Sequence, residues 1–201
     1  TTSMKKHLIT GITGQDGLFL VKKILEEEDN PIIFGVSRES NGINFYKNLN
    51  SLEIKNVENI KLFNLNLNSR SDTLSFIKEY SPDTVYNLTG PSSPYESVQN
   101  PEKYKQIETI FDNLTSALIE NKNFANFYQA SSSEMFENNG KSKLSELSEF
   151  NPKSPYAKSK FRNHLKVLEM RRQFNWDIFS GIMFNHESEF RKEKYLFKKV
   201  I

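Results

Sequence analysis

The sequence predicts an α/β protein with a Rossmann-like, doubly wound parallel sheet and helices on both faces. Short apolar runs of four to seven residues recur along the chain, as expected for buried strands. Amphipathic segments with apolar residues at helical spacing separate these runs. A glycine-rich turn follows the first run directly. Alternating strands and helices favour a parallel sheet with right-handed crossovers.

The predicted elements alternate from one end of the chain to the other. Strands are expected at residues 7–10, 32–36, 60–63, 84–88, 124–129 and 178–184. Helices are expected from the apolar stripes at 18–25, 74–80 and 107–119, and over 156–174, the longest candidate. A longer connection, residues 40–59, is predicted to be partly helical.

Composition excludes several classes of function. The chain has 201 residues, a hydrophobic fraction of 36% and a net charge of +2, which gives no electrostatic case for nucleic acid or an anionic membrane surface. No apolar run approaches the ~20 residues of a transmembrane helix. The absence of cysteine removes disulfides and thiol chemistry, and the three histidines lie far apart, so no metal site is predicted. We therefore expect a cytoplasmic protein without a nucleic-acid or membrane partner.

The first candidate site is the turn at residues 11–17, which reads Gly-Ile-Thr-Gly-Gln-Asp-Gly. Glycines let the backbone approach a pyrophosphate, and the helix that follows offers unpaired N–H groups at its positive end. The spacing is GxxGxxG rather than GxGxxG, and a glycine-rich turn without a ligand is the alternative. Its position between strand and helix favours a dinucleotide site. The candidate contacts are Gly11, Thr13, Gly14, Gln15, Asp16 and Gly17.

The residue after the second strand bears on the choice of cofactor. An acidic residue there would bind the ribose diol of NAD, whereas Arg38 offers a cation suited to the 2′-phosphate of NADP. Glu39 weakens the positive field, and a solvated surface arginine is the alternative. The sequence favours NADP over NAD.

Two further segments carry candidate catalytic groups. Tyr156 and Lys160 stand four residues apart on one helical face, a spacing that also occurs often on surface helices. A phenol of pKa ~10 is a poor base, and a neighbouring ammonium lowers that pKa. Residues 131–134 bring hydroxyls and Glu134 to the end of a strand, where open α/β sheets bind ligands. A carboxylate beside the tyrosine suits proton removal next to a carbonyl, followed by elimination.

These motifs resemble those of the extended short-chain dehydrogenases/reductases. The resemblance rests on the glycine turn, Ser-Ser-Ser-Glu-Met at 131–135 and Ser-Pro-Tyr-Ala-Lys-Ser-Lys at 154–160. Together with the glycine turn, Gly-Ile-Met-Phe-Asn-His-Glu-Ser at 181–188 is closer still to the GDP-mannose 4,6-dehydratase family. The resemblance implies that residues 1–201 form an NAD(P)-binding Rossmann-like domain that carries the catalytic residues. The family's C-terminal sugar-nucleotide lobe is expected to be absent, because an amphipathic pattern at 195–201 has no stop signal.

The resemblance also implies a reaction, in which bound NADP converts GDP-mannose to GDP-4-keto-6-deoxymannose. Tyr156 would take the 4-hydroxyl proton while hydride leaves C4, and Ser132, where the family usually has Thr, would bond the 4-oxygen. Glu134 would remove the C5 proton, water would leave from C6, and the hydride would return there. Lys160 would tune Tyr156 and bind the nicotinamide ribose.

Further contacts and a homo-oligomer, either dimer or tetramer, follow from the same resemblance. Cofactor contacts are assigned to Asn66, Leu67, Leu88, Thr89, Ser92, Tyr156, Lys160, His186 and Arg191, and substrate contacts to Ser92, Ser132, Glu134, Tyr156 and Asn185. Residues 87–94 depart from the family pattern, with two prolines and a lost Gln and His, and Asn66 replaces the usual Asp. A related epimerase or 4-keto reductase, or a non-catalytic NADP-binding protein, therefore remains as an alternative.

Overall fold

Six strands form one sheet in the computed structural model of the chain, which describes residues 4–37, 42–136 and 143–190. The strands are β1 (Lys6–Thr10), β2 (Ile32–Val36), β3 (Ile60–Phe63), β4 (Thr84–Asn87), β5 (Asn126–Ser132) and β6 (Ile178–Met183). All neighbouring strands are parallel, and their order is β3-β2-β1-β4-β5-β6. The predicted doubly wound parallel sheet is confirmed.

Helices cover both faces of this sheet. They are α1 (Gln15–Glu27), α2 (Ile43–Ser51), α3 (Arg70–Tyr80), α4 (Pro94–Gln99), α5 (Pro101–Tyr104), α6 (Gln106–Glu120) and α7 (Pro155–Phe174). Short 3-10 turns occupy Val57–Asn59 and Ser133–Met135. None of the helices in the described ranges combines the length and the apolar character needed to cross a bilayer.

Two apolar cores lie on opposite sides of the sheet, because successive strand residues point to opposite faces. One core joins the sheet to α1 and α2, and includes Ile9, Ile12, Leu18, Val21, Ile33, Phe45 and Leu49. The other joins it to α3, α6 and α7, and includes Leu8, Phe34, Phe76, Val85, Phe111, Leu114, Phe127 and Val167. Each fully buried side chain of this kind stabilises the fold by ~1.5–3 kcal/mol.

Three strands end at positions other than those predicted. The fifth strand was expected at 124–129, but β5 runs over Asn126–Ser132 because its parallel ladder with β6 continues to the pair Ser132–Met183. Residues 131 and 132 carry hydroxyl side chains, so the end of β5 does not have the apolar pattern from which the strands were predicted. The fourth and sixth strands each end one residue earlier than predicted, at Asn87 and Met183.

Helices α4 and α5 were not predicted, although both carry ordinary start signals. The Ser93 side chain accepts a hydrogen bond from the Glu96 N–H, and α4 begins at Pro94. The Asn100 side chain accepts from the Lys103 N–H, and α5 begins at Pro101. A capping side chain followed by proline is typical of a helix start. The helices are too short to show a hydrophobic period.

Some predictions fall outside the described residues. These are Arg38 and Glu39 after β2, Arg191, and the apolar pattern at 195–201. The partly helical connection at 40–59 is confirmed within its described part, because α2 and a 3-10 turn lie there.

Two histidines are buried in the fold. His7 in β1 is fully buried, and its Nε2 lies 2.9 Å from Glu28 Oε2 at the end of α1. His164 lies on the side of α7 that packs on β6, and its Nδ1 lies 2.9 Å from Ser180 Oγ. Burial lowers the pKa of His7, against a smaller opposing effect of Glu28, and burial also lowers the pKa of His164.

We expect the free energy of unfolding to decrease as the pH falls through 6.5, the ordinary pKa of histidine. Below this pH the histidines of the unfolded chain bind protons more readily than the buried His7 and His164 of the folded chain. The contribution of the neutral histidines to folding stability is therefore fully present above that pH and is lost below it. Urea unfolding at about pH 7.5 and about pH 5.5 measures the difference. The double variant His7→Gln, His164→Gln should have a smaller pH dependence, and an unchanged dependence would contradict this account.

Candidate functional site

The predicted site residues gather at the carboxyl edge of the sheet. β1 and β4 lie side by side there, and the chain winds outward from this pair in opposite directions. Loops that leave such a pair diverge and form the crevice in which open α/β sheets bind ligands. The glycine turn follows β1, and residues 88–92 follow β4, so two predicted segments border this crevice.

The glycine turn packs closely against the loop after β4, in a backbone conformation that favours glycine. Gly11 has a φ of 69°, and a Cβ atom there would lie 3.1 Å from backbone atoms of Leu88 and Thr89. At Gly17, a Cβ atom would overlap the carbonyl group of Ile12, so the first turn of α1 also lies directly on the glycine turn. These glycines let three backbone segments meet at one point.

The N-terminus of α1 is suited to an anion. Its N-cap residue is Gly14, which has no side chain to cap the first-turn N–H groups. Uncapped donors at the positive end of a helix attract phosphate. Thr13 Oγ1 lies 3.3 Å from Ser37 Oγ, which brings the end of β2 beside the turn. The residues present therefore fit a dinucleotide pyrophosphate.

The segment after β6 is fastened onto the start of α1. His186 Nε2 lies 2.7 Å from Asp16 Oδ1, and Gln15 Nε2 donates to the His186 carbonyl over 3.2 Å. Ser188 Oγ donates to Gln15 Oε1 over 2.8 Å. Three predicted cofactor residues thus meet. Ser188 was not among the predicted residues, and only its membership of the motif at 181–188 could have suggested it.

Ser132 and Glu134 lie together at the end of β5. Ser132 is the last residue of the strand and is 7% exposed, and its Oγ accepts a hydrogen bond from the Glu134 N–H over 3.2 Å. The 3-10 turn that begins at Ser133 leaves Glu134 exposed. The strand and the turn therefore separate a buried hydroxyl from an accessible carboxylate by two residues.

Tyr156 and Lys160 share the buried side of α7, as predicted from their spacing, while Lys158 is exposed. Lys160 Nζ donates to the Ala130 carbonyl over 2.7 Å and lies 5.8 Å from the centre of the Tyr156 ring. Burial lowers the pKa of Lys160 to about 8. Tyr104 packs edge-on against Tyr156, with ring centres 6.2 Å apart. The Tyr156–Lys160 pair and the Ser132–Glu134 pair both lie at the carboxyl end of β5.

The remaining predicted residues lie farther from this group or contribute backbone only. Asn66, after β3, is exposed, and its Oδ1 accepts from the Asn68 N–H. The Leu67 side chain is buried in the core, so any cofactor contact there would come from its backbone. Ser92 and Asn185 are exposed at the carboxyl edge. In the ranges that the structure describes, no three His, Asp or Glu side chains form a group that could hold a metal ion.

Sequence reasoning missed a row of buried polar residues at this edge. Thr10, Asn87 and Gln129 hydrogen-bond in series across β1, β4 and β5. The available signal was a polar residue at or near the end of each buried strand. These polar residues can be paired only when the strand order is known, because the order shows which strands are neighbours.

A family model described as GDP-mannose 4,6 dehydratase matches residues 8–201. GDP-mannose 4,6 dehydratase 1 of Arabidopsis thaliana is 32% identical over 98% of this chain and 56% of its own length. The GDP-mannose 4,6-dehydratase of Yersinia enterocolitica is 32% identical over 98% of the chain and 54% of its own length. The human GDP-mannose 4,6 dehydratase is 32% identical, with coverages of 96% and 53%. The chain thus spans about half the length of these curated relatives.

Solved structures share the fold. A UDP-N-acetylglucosamine 4-epimerase from Methanobrevibacter ruminantium superposes with a TM-score of 0.80 and 24% identity, covering 96% of this chain and 58% of that one. A dTDP-glucose 4,6-dehydratase from Bacillus anthracis, in complex with NAD, has a TM-score of 0.79 and 17% identity, with coverages of 97% and 59%. At these identities the similarity concerns the fold alone.

We expect Gly17→Ala to lower the free energy of unfolding by about 1–3 kcal/mol, because the new methyl group overlaps rigid backbone. Gly14→Ala is the matched control in the same turn. Its Cβ atom would lie 3.3 Å from the Gly11 oxygen, and we expect a loss within about 1 kcal/mol. Urea unfolding of both variants measures the difference, and equal losses would contradict the close approach at Gly17.

Proposed function

The chain belongs to the GDP-mannose 4,6-dehydratase family, and from this premise we propose that it is the cofactor-binding and catalytic part of a sugar-nucleotide 4,6-dehydratase that acts on GDP-mannose. The observation that carries this proposal is the accessible carboxylate of Glu134 two residues beyond the buried Ser132 hydroxyl, at the end of the strand against which Tyr156 and Lys160 pack. Oxidation or reduction at C4 alone needs no such carboxylate, whereas elimination of water from C5 and C6 does.

We propose NADP as the cofactor. A bound nicotinamide would accept hydride from the sugar and return it, which no side chain can do. The glycine turn and the uncapped start of α1 suit its pyrophosphate, and Lys160 would hold the nicotinamide ribose. Arg38 supplies the argument for NADP from sequence, since a guanidinium binds a 2′-phosphate by charge-assisted hydrogen bonds.

Tyr156 acts as the base for the 4-hydroxyl in this proposal. The buried Lys160 ammonium, 5.8 Å from the ring centre, favours the phenolate over the phenol. Ser132 Oγ already accepts a hydrogen bond from the Glu134 N–H, so its own proton can be donated to the sugar 4-oxygen. The sugar 4-oxygen would thus be held by the Ser132 hydroxyl and deprotonated by the Tyr156 phenolate.

Glu134 then removes the proton at C5. A ketone at C4 makes that proton acidic, and the exposed carboxylate is free to approach the sugar while its backbone N–H stays anchored on Ser132. Glu134 would pass the proton it took from C5 to the 6-hydroxyl, which would leave as water and return Glu134 to its carboxylate form. The hydride would then return to C6, and C5 would regain a proton. Asn185 and Ser92 are proposed substrate contacts, and a homo-oligomer is proposed from the family.

We expect Glu134→Gln to abolish the loss of water from GDP-mannose while sparing C4 oxidation, because an amide cannot take the C5 proton. The test uses the protein that contains this chain, with NADP. Mass spectrometry detects the dehydrated product, and absorbance of the reduced nicotinamide detects oxidation. Glu146→Gln, which changes another exposed carboxylate, is the control and should retain full turnover. Dehydration that survives in Glu134→Gln would overturn the assignment.

We expect Arg38→Ala to weaken NADP binding about tenfold or more and to leave NAD binding nearly unchanged, since one charge-assisted hydrogen bond is worth about that much. Equilibrium titration of each cofactor measures the two affinities. Lys78→Ala removes an exposed cation in the last turn of α3 and controls for net charge. Equal weakening for both cofactors would argue against recognition of the 2′-phosphate by Arg38.

A further inference from the structure

A ladder of buried polar side chains crosses the carboxyl edge of the sheet. Thr10 Oγ1 donates to Asn87 Oδ1 over 2.7 Å, and Asn87 Nδ2 donates to Gln129 Oε1 over 2.8 Å. The three side chains are at most 1% exposed, and they are register neighbours in β1, β4 and β5. A buried polar group costs free energy unless it is paired, and here each one pairs with the next. We call these three residues the polar ladder.

The polar ladder ends on the carbonyl group that also binds Lys160. Gln129 Nε2 donates to the Ala130 oxygen over 2.9 Å, and Lys160 Nζ donates to the same oxygen over 2.7 Å. An ammonium can only donate, so this oxygen must accept, and the Gln129 amide must present its nitrogen to it. The orientation of Asn87 follows in turn from Gln129, and every donor therefore points toward Ala130.

The other end of the polar ladder lies at the glycine turn. Thr10 directly precedes Gly11, and its Oγ1 accepts a hydrogen bond from the Thr89 N–H over 3.4 Å. The polar ladder therefore joins the turn after β1, the loop after β4 and the ammonium on α7. Hydrogen bonds in series polarise one another in a low-dielectric interior, so a change at one end is felt at the other.

We propose that Asn87 and Gln129 are positioning residues that fix the Ala130 carbonyl and, through it, hold the Lys160 ammonium in register with the glycine turn. This inference rests on the proposed function in so far as Lys160 is the partner of Tyr156. Neither amide contacts the reacting atoms. They determine the position of the ammonium and the strength of the hydrogen bond by which the Ala130 oxygen stabilises its charge.

The polar ladder also has a defined effect on Lys160 titration. Two donors compete for one oxygen, so removal of the Gln129 N–H leaves more of that oxygen to the ammonium and favours its charged form. The titratable groups on α7 and on the elements packed against it include Tyr156, Lys158, Arg162 and His164 on α7, Glu96 on α4, Tyr104 on α5, Glu108 on α6, Tyr128 on β5 and Glu134 after β5. All of them are kept in the variants below.

The test compares Lys160 titration in variants of the ligand-free chain. Gln129→Met removes the last amide at similar size, and Thr10→Val removes the far hydroxyl without changing shape. Ser131→Ala is the matched control, because Ser131 is 3% exposed on the same face of β5 but bonds to Met135 Sδ instead. Nuclear magnetic resonance of isotope-labelled lysine follows the Lys160 signal, which is identified by its loss in Lys160→Met.

We expect the pKa of Lys160 to rise in Gln129→Met, to rise less in Thr10→Val and to stay at the wild-type value in Ser131→Ala. In the active protein, Gln129→Met should lower kcat about tenfold or more with little change in KM. Unchanged Lys160 titration in Thr10→Val would overturn the proposal even if Gln129→Met failed to fold. The titration does not depend on turnover. If the pKa of Lys160 rises as expected in both variants but the protein does not convert GDP-mannose, the proposed function is wrong and the positioning role still holds.

Discussion

The parallel pairing of β1 with β4 is the constraint on which the rest of the structure depends. It sends the chain outward in two directions and distributes the helices over both faces. It also sets the loops after these strands against each other, so closely that a Cβ atom at Gly11 would lie 3.1 Å from backbone atoms of Leu88 and Thr89. The crevice between the two loops is a consequence of this one pairing.

A second level of organisation concerns charge in the interior. An ammonium as buried as that of Lys160 is costly unless hydrogen bonds compensate it, and the Ala130 carbonyl supplies that compensation. The cost is not wholly removed, because the pKa of Lys160 stays lowered to about 8. The site thus keeps a cation beside Tyr156 that is close to losing its proton near neutral pH.

Sequence predicted the features that are local and missed those that depend on strand order. Apolar runs located the strands, and the motifs located the glycine turn and the Tyr156–Lys160 helix. The carboxyl half of β5 escaped notice because its residues are hydroxylic, although pairing with β6 keeps them in the sheet. The Asn87–Gln129 bond joins residues 42 positions apart, and no sequence period relates them. The proposed preference for NADP rests on Arg38, which lies outside the described residues.

The contact between Asp16 and His186 joins residues 170 positions apart and has a consequence for biosynthesis. The glycine turn is translated before the segment that fastens onto it, which emerges only after the six strands of the sheet. A domain of this topology forms its long-range contacts late, when the entropy of closing large loops can be met by packing. The end of the crevice at the glycine turn is therefore completed late, and a nascent chain on the ribosome cannot form the contact between α1 and the segment after β6 until β6 has been translated.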